Sequence, residues 1–566
     1  MFRIVWQFSR DRVEIEDLVS GSFSASEKLG LGEHVPVFPV FRQEDAEIEA
    51  EALETLADPE DDLARYYHTV VRSEDEMRPI LNSLGEARKR GLIRWFDVQA
   101  EIGSRQPIPE DTEENPLKFP FDPGPGPSQA WDRYQYYLGP SDPQGTSAVG
   151  VDARFLWSVR GGRGEGIRIV DIEKGWSLRH ENLRRQAFGA FGDPFGGGNP
   201  EDDAHGTAVL GILCATPLGS PNRRGVIGIA HRAAVSVAPF QGGHGDLNPE
   251  GVVKDVLRWL APGDVLLLEL DAARPRVTPA RNLTPLLPLE AWAHSRAAIK
   301  LAAAKGVYVV EAAGNGGLSL SRREHGVRRR GPALMVGAGH YRTGEAMFFS
   351  NRGPRIDLQG WGLGVVTTGA AVTEFNNLQL RADTNRCYTA RFSGTSSAAA
   401  IVAGCVAAIS GVVKAHGFDP LTPDEMKELL QSTGSFRSRD QNDGIGPLPD
   451  LRAALKALEE RFQREGRSFK GFTHAHEQAP RYQGEELRVT RIRGSQYPST
   501  ANHNQGSSEM AKPRSSQPTP EQIELAYRKA LKTYSSRENV TGIDKGYKYE
   551  NGKRTNQTAI RIHVRE

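Results

Sequence analysis

A hydroxyl in a run of small residues is the first group in this sequence that could do chemistry. In Phe392-Ser393-Gly394-Thr395-Ser396-Ser397-Ala398-Ala399-Ala400-Ile401-Val402-Ala403-Gly404, Gly394 permits a tight turn and the Ala, Val and Ile after it can start a helix. Ser396 then stands at a strand-to-helix junction. A hydroxyl there is backed by the partial positive charge of a helix N-terminus and lies beside backbone N–H groups that can hold an oxyanion. The position suits a nucleophile, although a small-residue helix start packed on a sheet has the same composition. Two more groups lie upstream. Asp171 ends the β-rich run Ile167-Arg168-Ile169-Val170, and in α/β sheets the chemistry sits at the C-terminal ends of strands. His205 lies in Asp203-Ala204-His205-Gly206-Thr207-Ala208-Val209-Leu210-Gly211-Ile212, ahead of a small apolar helix. A carboxylate, an imidazole and an alcohol in this chain order are the parts of a base-activated nucleophile.

These groups need a sheet and helices to bring them together, and the sequence between them supplies both. Gly263-Asp264-Val265-Leu266-Leu267-Leu268-Glu269-Leu270 reads as a buried parallel strand. An Ala-rich helix from Leu289 to Lys305 is closed by Gly306, and the strand Val307-Tyr308-Val309-Val310 runs into Glu311-Ala312-Ala313-Gly314-Asn315-Gly316. After Ser396, Thr422-Pro423-Asp424-Glu425 opens a further helix with a cap and Pro at its first position, and Ile445 to Asp450 leads into a closing one.

Composition bounds the setting. The chain has 566 residues, 38% hydrophobic and 25% charged, enough for one large domain and two smaller parts with a sizeable core. Its formal net charge is zero, so no global field recruits nucleic acid or a membrane, and neither is an expected partner. Three cysteines, Cys214, Cys387 and Cys405, without close pairs argue against a disulfide framework or a structural zinc site. Met1 to Phe8 is followed at once by Arg10, Asp11 and Arg12, which leaves no apolar signal-peptide core, and no run is expected to reach membrane-spanning length. A cytoplasmic location follows as the expectation.

The flanking regions read differently. Residues 1–105 alternate strand and helix: Phe2 to Phe8, an edge at Val35 to Phe41 limited by Pro36 and Pro39, Ala64 to Val71, a helix from Glu74 to Arg90 containing Pro79, and Leu92 to Val98. Carboxylates dominate from Glu44 to Asp62, as on a solvated face. Residues 106–128 are rich in proline and read as an extended linker. Residues 461–518 read as a flexible linker, and 519–566 as a helix followed by a hairpin turning at Asn551-Gly552. Such a module buries little by itself, which points to a specific partner for it or to docking on the main domain.

From Gly166 to about Glu460 the blocks resemble the subtilisin-like serine proteases in unbroken order. The serine stretch resembles the Gly-Thr-Ser-x-Ala-x-Pro motif of that family, and the Asp171 and His205 blocks precede it as the family requires. The resemblance implies a three-layer α/β fold with a central, mostly parallel sheet over residues 129–460. It implies a serine endopeptidase acting on protein or peptide substrates through an acyl-enzyme. In it His205 takes the proton of Ser396, Asp171 orients the imidazole, and Asn315 joins the Ser396 N–H in the oxyanion hole. Residues 1–105 resemble the family's prodomain by position and pattern, so self-cleavage is expected within or just before the proline-rich linker. No cofactor is implied. Calcium stabilises many relatives, but no acidic loop here has a ligand pattern for it.

Departures from the family pattern leave alternatives open. Ala400 stands where the motif has Pro. Glu269, Leu270, Asp271 and Glu311 fall at substrate-cleft positions of the family. The carboxylates among them favour a basic substrate side chain, or else form a solvated or internally bonded pair. Glu173 resembles the acidic relatives that use a Ser-Glu-Asp set, but His205 in its full His-Gly-Thr context favours Asp171. An inactive relative using the fold as a binding module is the second reading.

Overall fold

The computed structural model describes residues 2–9, 29–31, 37–39, 65–103, 130–140, 149–184, 186–192, 200–218, 225–240, 248–273, 286–320, 330–370, 384–436, 444–467, 488–491, 540–550 and 553–564, with isolated positions between them. The chain divides into two compact units, Met1–Ser495 and Gln496–Glu566.

The first unit begins with strands β1 (Phe2–Phe8), β2 (Phe38–Pro39) and β3 (Tyr66–Val71), helix α1 (Glu74–Lys89) and strand β4 (Ile93–Gly103). Ser73 caps α1 by accepting from the Glu76 N–H at 3.2 Å, and Ile80, Leu84 and Ala87 are its buried stripe. Pro79 sits inside the helix without ending it. Within the edge strand expected at Val35 to Phe41, Phe38–Pro39 forms β2, on the rim beside β3, where a proline is tolerated.

Next come β5 (Arg168–Glu173), β6 (Ala187–Ala190), α2 (Pro200–Cys214), β7 (Ala234–Pro239), α3 (Pro249–Leu257), β8 (Val265–Leu268), β9 (Asp271–Ala273), β10 (Leu286–Pro288) and α4 (Ala293–Ala304). They continue through β11 (Tyr308–Ala312), β12 (Leu334–Gly339), β13 (Leu358–Trp361), β14 (Val365–Thr368), β15 (Tyr388–Phe392), α5 (Thr395–Ala415), α6 (Pro423–Thr433), α7 (Leu451–Arg464) and β16 (Arg488–Arg491). The central sheet has the order β13-β12-β11-β8-β5-β7-β6-β16, and every pair in it is parallel. Alternation along the strands divides its side chains between two cores. Ile169, Leu267, Val310 and Val336 pack with α2 and α5, whereas Val170, Leu266, Val309 and Met335 pack with α3 and α4. This is the three-layer α/β arrangement.

α5 is the axis of the first core. It lies against β8, β11, β12, β13 and α2, and its residues from Thr395 to Val413 are buried. Its length and apolar character meet those of a membrane span, contrary to expectation, but its window is wholly inside the protein. α6 opens with the expected capping box, the Thr422 hydroxyl accepting from the Glu425 N–H and Glu425 Oε2 accepting from the Thr422 N–H at 2.8 Å.

A second sheet joins the N-terminal region to the main body in the order β10-β9-β4-β1-β3-β2. β4 pairs antiparallel with β9, with Ala100 opposite Ala273 and Gly103 opposite Asp271. In the second unit β17 (Val540–Glu550) and β18 (Lys553–Val564) form an antiparallel pair flanking Asn551-Gly552. The expected helix from Thr519 and the linker at 106–128 lie outside the described residues. The linker expected at 461–518 is corrected in part, because its first residues extend α7 and Arg488–Arg491 is β16, paired with β6; its other residues beyond Arg467 lie outside the described residues.

Candidate active site

β5 ends at Glu173, and the pleat puts Asp171 and Glu173 on the sheet face covered by α2 and α5. His205, on α2, donates from Nδ1 to Glu173 Oε2 at 2.5 Å, with both side chains buried. Asp171 is engaged elsewhere: its Oδ2 accepts from Trp176 Nε1 at 2.8 Å, and Oδ1 has no partner among the described residues. The placement of Asp171 behind the imidazole is thus corrected, since Glu173 occupies that place. One pleat, about 6.6 Å along the strand, separates the two carboxylates, and Asp171 is the deeper. A signal for this was present in the sequence, because Glu173 is the last inward residue before the turn at Gly175. That turn is tight against α2: a Cβ on Gly206 would lie 2.3 Å from the Gly175 carbonyl oxygen, so the residue after His205 must be glycine. Burial, and then the neighbouring Glu173, push the Asp171 carboxyl well above the usual range, against the pull of its Trp176 bond.

Ser396 is the second residue of α5 and is only 4% exposed. Gly394, before the helix, has φ 107°, a backbone state that favours glycine and forms the expected sharp turn. Ser397 is committed elsewhere, donating to the Trp361 carbonyl at 2.7 Å. Asn315 follows β11, and its Oδ1 accepts from the Thr395 N–H at 2.9 Å and the Thr395 hydroxyl at 3.1 Å. This turns the Nδ2 donor to the other side of the amide. The His205 ring rests edge-on to Phe392, with centroids 5.4 Å apart, and its Nε2 is buried with no hydrogen-bond partner among the described residues.

The remaining predicted residues separate by face. Leu268 is opposite Ile172, so Glu269 comes level with Glu173 on the face covered by α2 and α5. It is 1% exposed, and burial, followed by Glu173 and Asp171, drives its carboxyl well above the usual range, with the Ser396 hydroxyl acting the other way. Leu268 is also opposite Glu311, which places Glu311 on the other face. There Glu311 Oε1 accepts from the Glu290 N–H at 3.0 Å, beside the Glu290 carboxylate bound by Arg355 at 2.6 and 2.8 Å. Leu270 is in that same core, and Asp271 lies in β9 opposite Gly103. The expectation that Glu269 and Glu311 share a cleft is thus corrected, because their strand parity opposes them.

Burial, and then Glu290, push Glu311 to about 8. A carboxyl raised on folding contributes stability at low pH that is lost as the pH climbs toward that value. Glu311→Gln should therefore leave cleavage preference unchanged and flatten the fall in melting temperature between about pH 4.5 and pH 8. A changed preference for basic residues in a peptide library would refute this placement.

Among the described residues no group of three or more His, Cys, Asp or Glu is arranged to hold a metal ion. Residues 190–450 match the model of the Subtilase family. The chain is 24% identical over 265 residues to the Major intracellular serine protease of Bacillus subtilis (strain 168), covering 46% of this chain and 72% of that one. It is 24% identical over 309 residues to the Intracellular serine protease of Paenibacillus polymyxa, covering 53% and 82%. Fervidolysin from Fervidobacterium pennivorans, a solved structure, is 17% identical with a TM-score of 0.48, covering 80% of this chain and 60% of that one. The family match over residues 190–450 and the similarity to these serine proteases, together with the parallel sheet and the serine at the head of the central helix, support a subtilisin-like serine endopeptidase.

Proposed function

We propose that Ser396, His205 and Glu173 form the catalytic set, with Asn315 in the oxyanion hole. The bond from His205 Nδ1 to Glu173 Oε2 carries this reading, because it fixes Nε2 as the ring nitrogen that serves as base. His205 Nε2 takes the Ser396 proton as the hydroxyl oxygen attacks the scissile carbonyl, and Glu173 stabilises the imidazolium. The tetrahedral oxyanion is held by Asn315 Nδ2 and the Ser396 N–H. His205 then protonates the leaving amine, and water, activated by the same imidazole, releases the acyl group. Asp171 lies behind the set as a structural group bonded to Trp176.

A fluorophosphonate should label the wild type and not Ser396→Ala. Failure to label either would leave the non-catalytic binding module as the better reading. Asn315→Ala should lower kcat by about a hundredfold to a thousandfold with little change in KM, the scale for one oxyanion donor. A fall confined to KM would remove Asn315 from that role.

Self-processing belongs to the same proposal. β4 adds a strand to β9, two residues beyond Glu269, so the N-terminal region holds a sheet edge where a substrate strand would pair. Cleavage within or just before the linker at 106–128 would free that edge. The wild type should accumulate a new N-terminus near this segment, and Ser396→Ala should keep Met1; wild type that retains Met1 rules self-processing out. Protein or peptide substrates in the cytoplasm, and a specific partner for residues 519–566, complete the proposal.

A further inference from the structure

Three buried carboxylates share the sheet face under α2 and α5: Asp171 and Glu173 at the end of β5, and Glu269 just past β8. Two have a clear use. Glu173 accepts from His205 and Asp171 accepts from Trp176. Glu269 differs, because neither of its oxygens makes a well-aligned hydrogen bond among the described residues. A buried acceptor in that state calls for a physical reason. The Ser396 hydroxyl lies close enough to favour the charged form of Glu269, and His205 Nε2 is a second buried acceptor without a partner in the same site. One hydroxyl proton cannot serve both acceptors.

Resting on the catalytic set proposed above, we propose that Glu269 is a positioning residue for the nucleophile: neutral, it leaves the Ser396 proton to His205 Nε2, and ionised, it takes that hydrogen bond and stops attack. The step is a simple proton balance. Glu269 gives its proton to solvent, and the Ser396 O–H, still intact, turns to donate to the carboxylate. No proton then lies between Ser396 and the base.

The groups around Glu269 set the direction. β5 presents Asp171 and Glu173, α2 presents His205, α5 presents Ser396, and β11 offers the uncharged Ala312. The Cys214 thiol of α2, beside Asp171, is pushed up by burial and then by that carboxylate, and so stays neutral. Burial and the two like charges oppose ionisation, so the stop engages only on the alkaline side. Activity is present below the folded pKa of Glu269 and is lost as the pH rises through it.

The test is the rate of fluorophosphonate labelling of the full chain from about pH 6 to about pH 10, with kcat and KM on a peptide substrate, for wild type, Glu269→Gln and Glu269→Asp. In the wild type the rate should fall about tenfold per pH unit as the pH rises through the folded pKa of Glu269. Glu269→Gln should hold a plateau over the same range, with the difference in kcat rather than KM. Glu269→Asp, whose shorter side chain withdraws the carboxyl, should weaken the alkaline fall. If Glu269→Gln keeps the wild-type fall, or the wild type holds a plateau to the top of the range, the positioning role is overturned while the protease reading stands. Should the variants not fold by circular dichroism, the wild-type profile decides alone. No labelling at any pH overturns both.

Discussion

Glu173→Gln is expected to lower kcat by about ten-thousandfold while KM stays nearly unchanged. That is the loss measured when the orienting carboxylate of another serine protease is made an amide. The cause here would be the same. Glu173 Oε2 accepts the Nδ1 proton of His205, and an amide can present its N–H instead, which selects the wrong tautomer and leaves the imidazolium without a counter-charge. Asp171→Asn is the control that gives the result its meaning. Its amide oxygen can still accept from Trp176 Nε1, so kcat should stay within about tenfold of wild type. Stability should move the other way. Asp171 is raised on folding, so its contribution is full below the ordinary aspartate pKa and declines as the pH rises toward the folded value. Asp171→Asn should therefore melt higher than wild type at pH 8 and close to it near pH 4. If Asp171→Asn destroys activity while Glu173→Gln spares it, the two carboxylates exchange roles and the catalytic set proposed here is wrong.

Arg3→Ala should loosen the N-terminal region from the main body. Arg3 is fully buried and donates to Glu250 Oε2 on α3 at 2.6 Å, to His68 Nδ1 on β3 at 2.8 Å and to Gln99 Oε1 on β4 at 3.2 Å. It also donates to Asn248 Oδ1 at 3.2 Å, and Glu250 accepts from Ser295 at the head of α4. One guanidinium thus ties three strands of the N-terminal sheet to the two helices beneath the second core. Removing it leaves the Glu250 carboxylate buried without its main counter-charge, a change that costs about 3 to 5 kcal/mol in comparable sites. Burial alone would raise the Glu250 carboxyl, but Arg3, His294 and Ser295 bring it below the usual range. A depressed carboxyl contributes stability above its unfolded pKa and loses it as the pH falls through the folded one. The effect of Arg3→Ala should accordingly be largest near neutral pH and shrink in acid. Faster hydrogen exchange along β4 at pH 7, with faster hydrolysis of a small peptide by the full chain, is the expected readout. Unchanged exchange in β4 would show that the strand pairing with β9 holds without this network.

Much of the catalytic framework was open to reading one residue at a time. Gly394 before a run of Ala, Val and Ile predicts a strained turn and a buried helix, and both are present. Thr422 with Glu425 predicts a capping box, because two side chains three residues apart satisfy each other's backbone donors. These features are local, so spacing along the chain is enough to specify them. The spanning length of α5 is not an assignment that composition can make, since an apolar helix buried inside a protein has the same composition as one in lipid.

Choosing between Asp171 and Glu173 was a different kind of problem. Both are carboxylates on one face of one strand, and only the depth to which α2 brings His205 decides which is reached. Glu269 and Glu311 posed the same problem across strands, where the pairing of Leu268 with Ile172 and with Glu311 fixes the parity. The amino-acid order by itself determined the turns, the caps, the parallel architecture and the presence of carboxylates, an imidazole and a hydroxyl in the right stretches. Which carboxylate meets the His205 ring, and which lie on the face beneath Ser396, was settled only by strand register and helix packing, because those contacts join residues far apart in sequence whose side chains no local rule can aim.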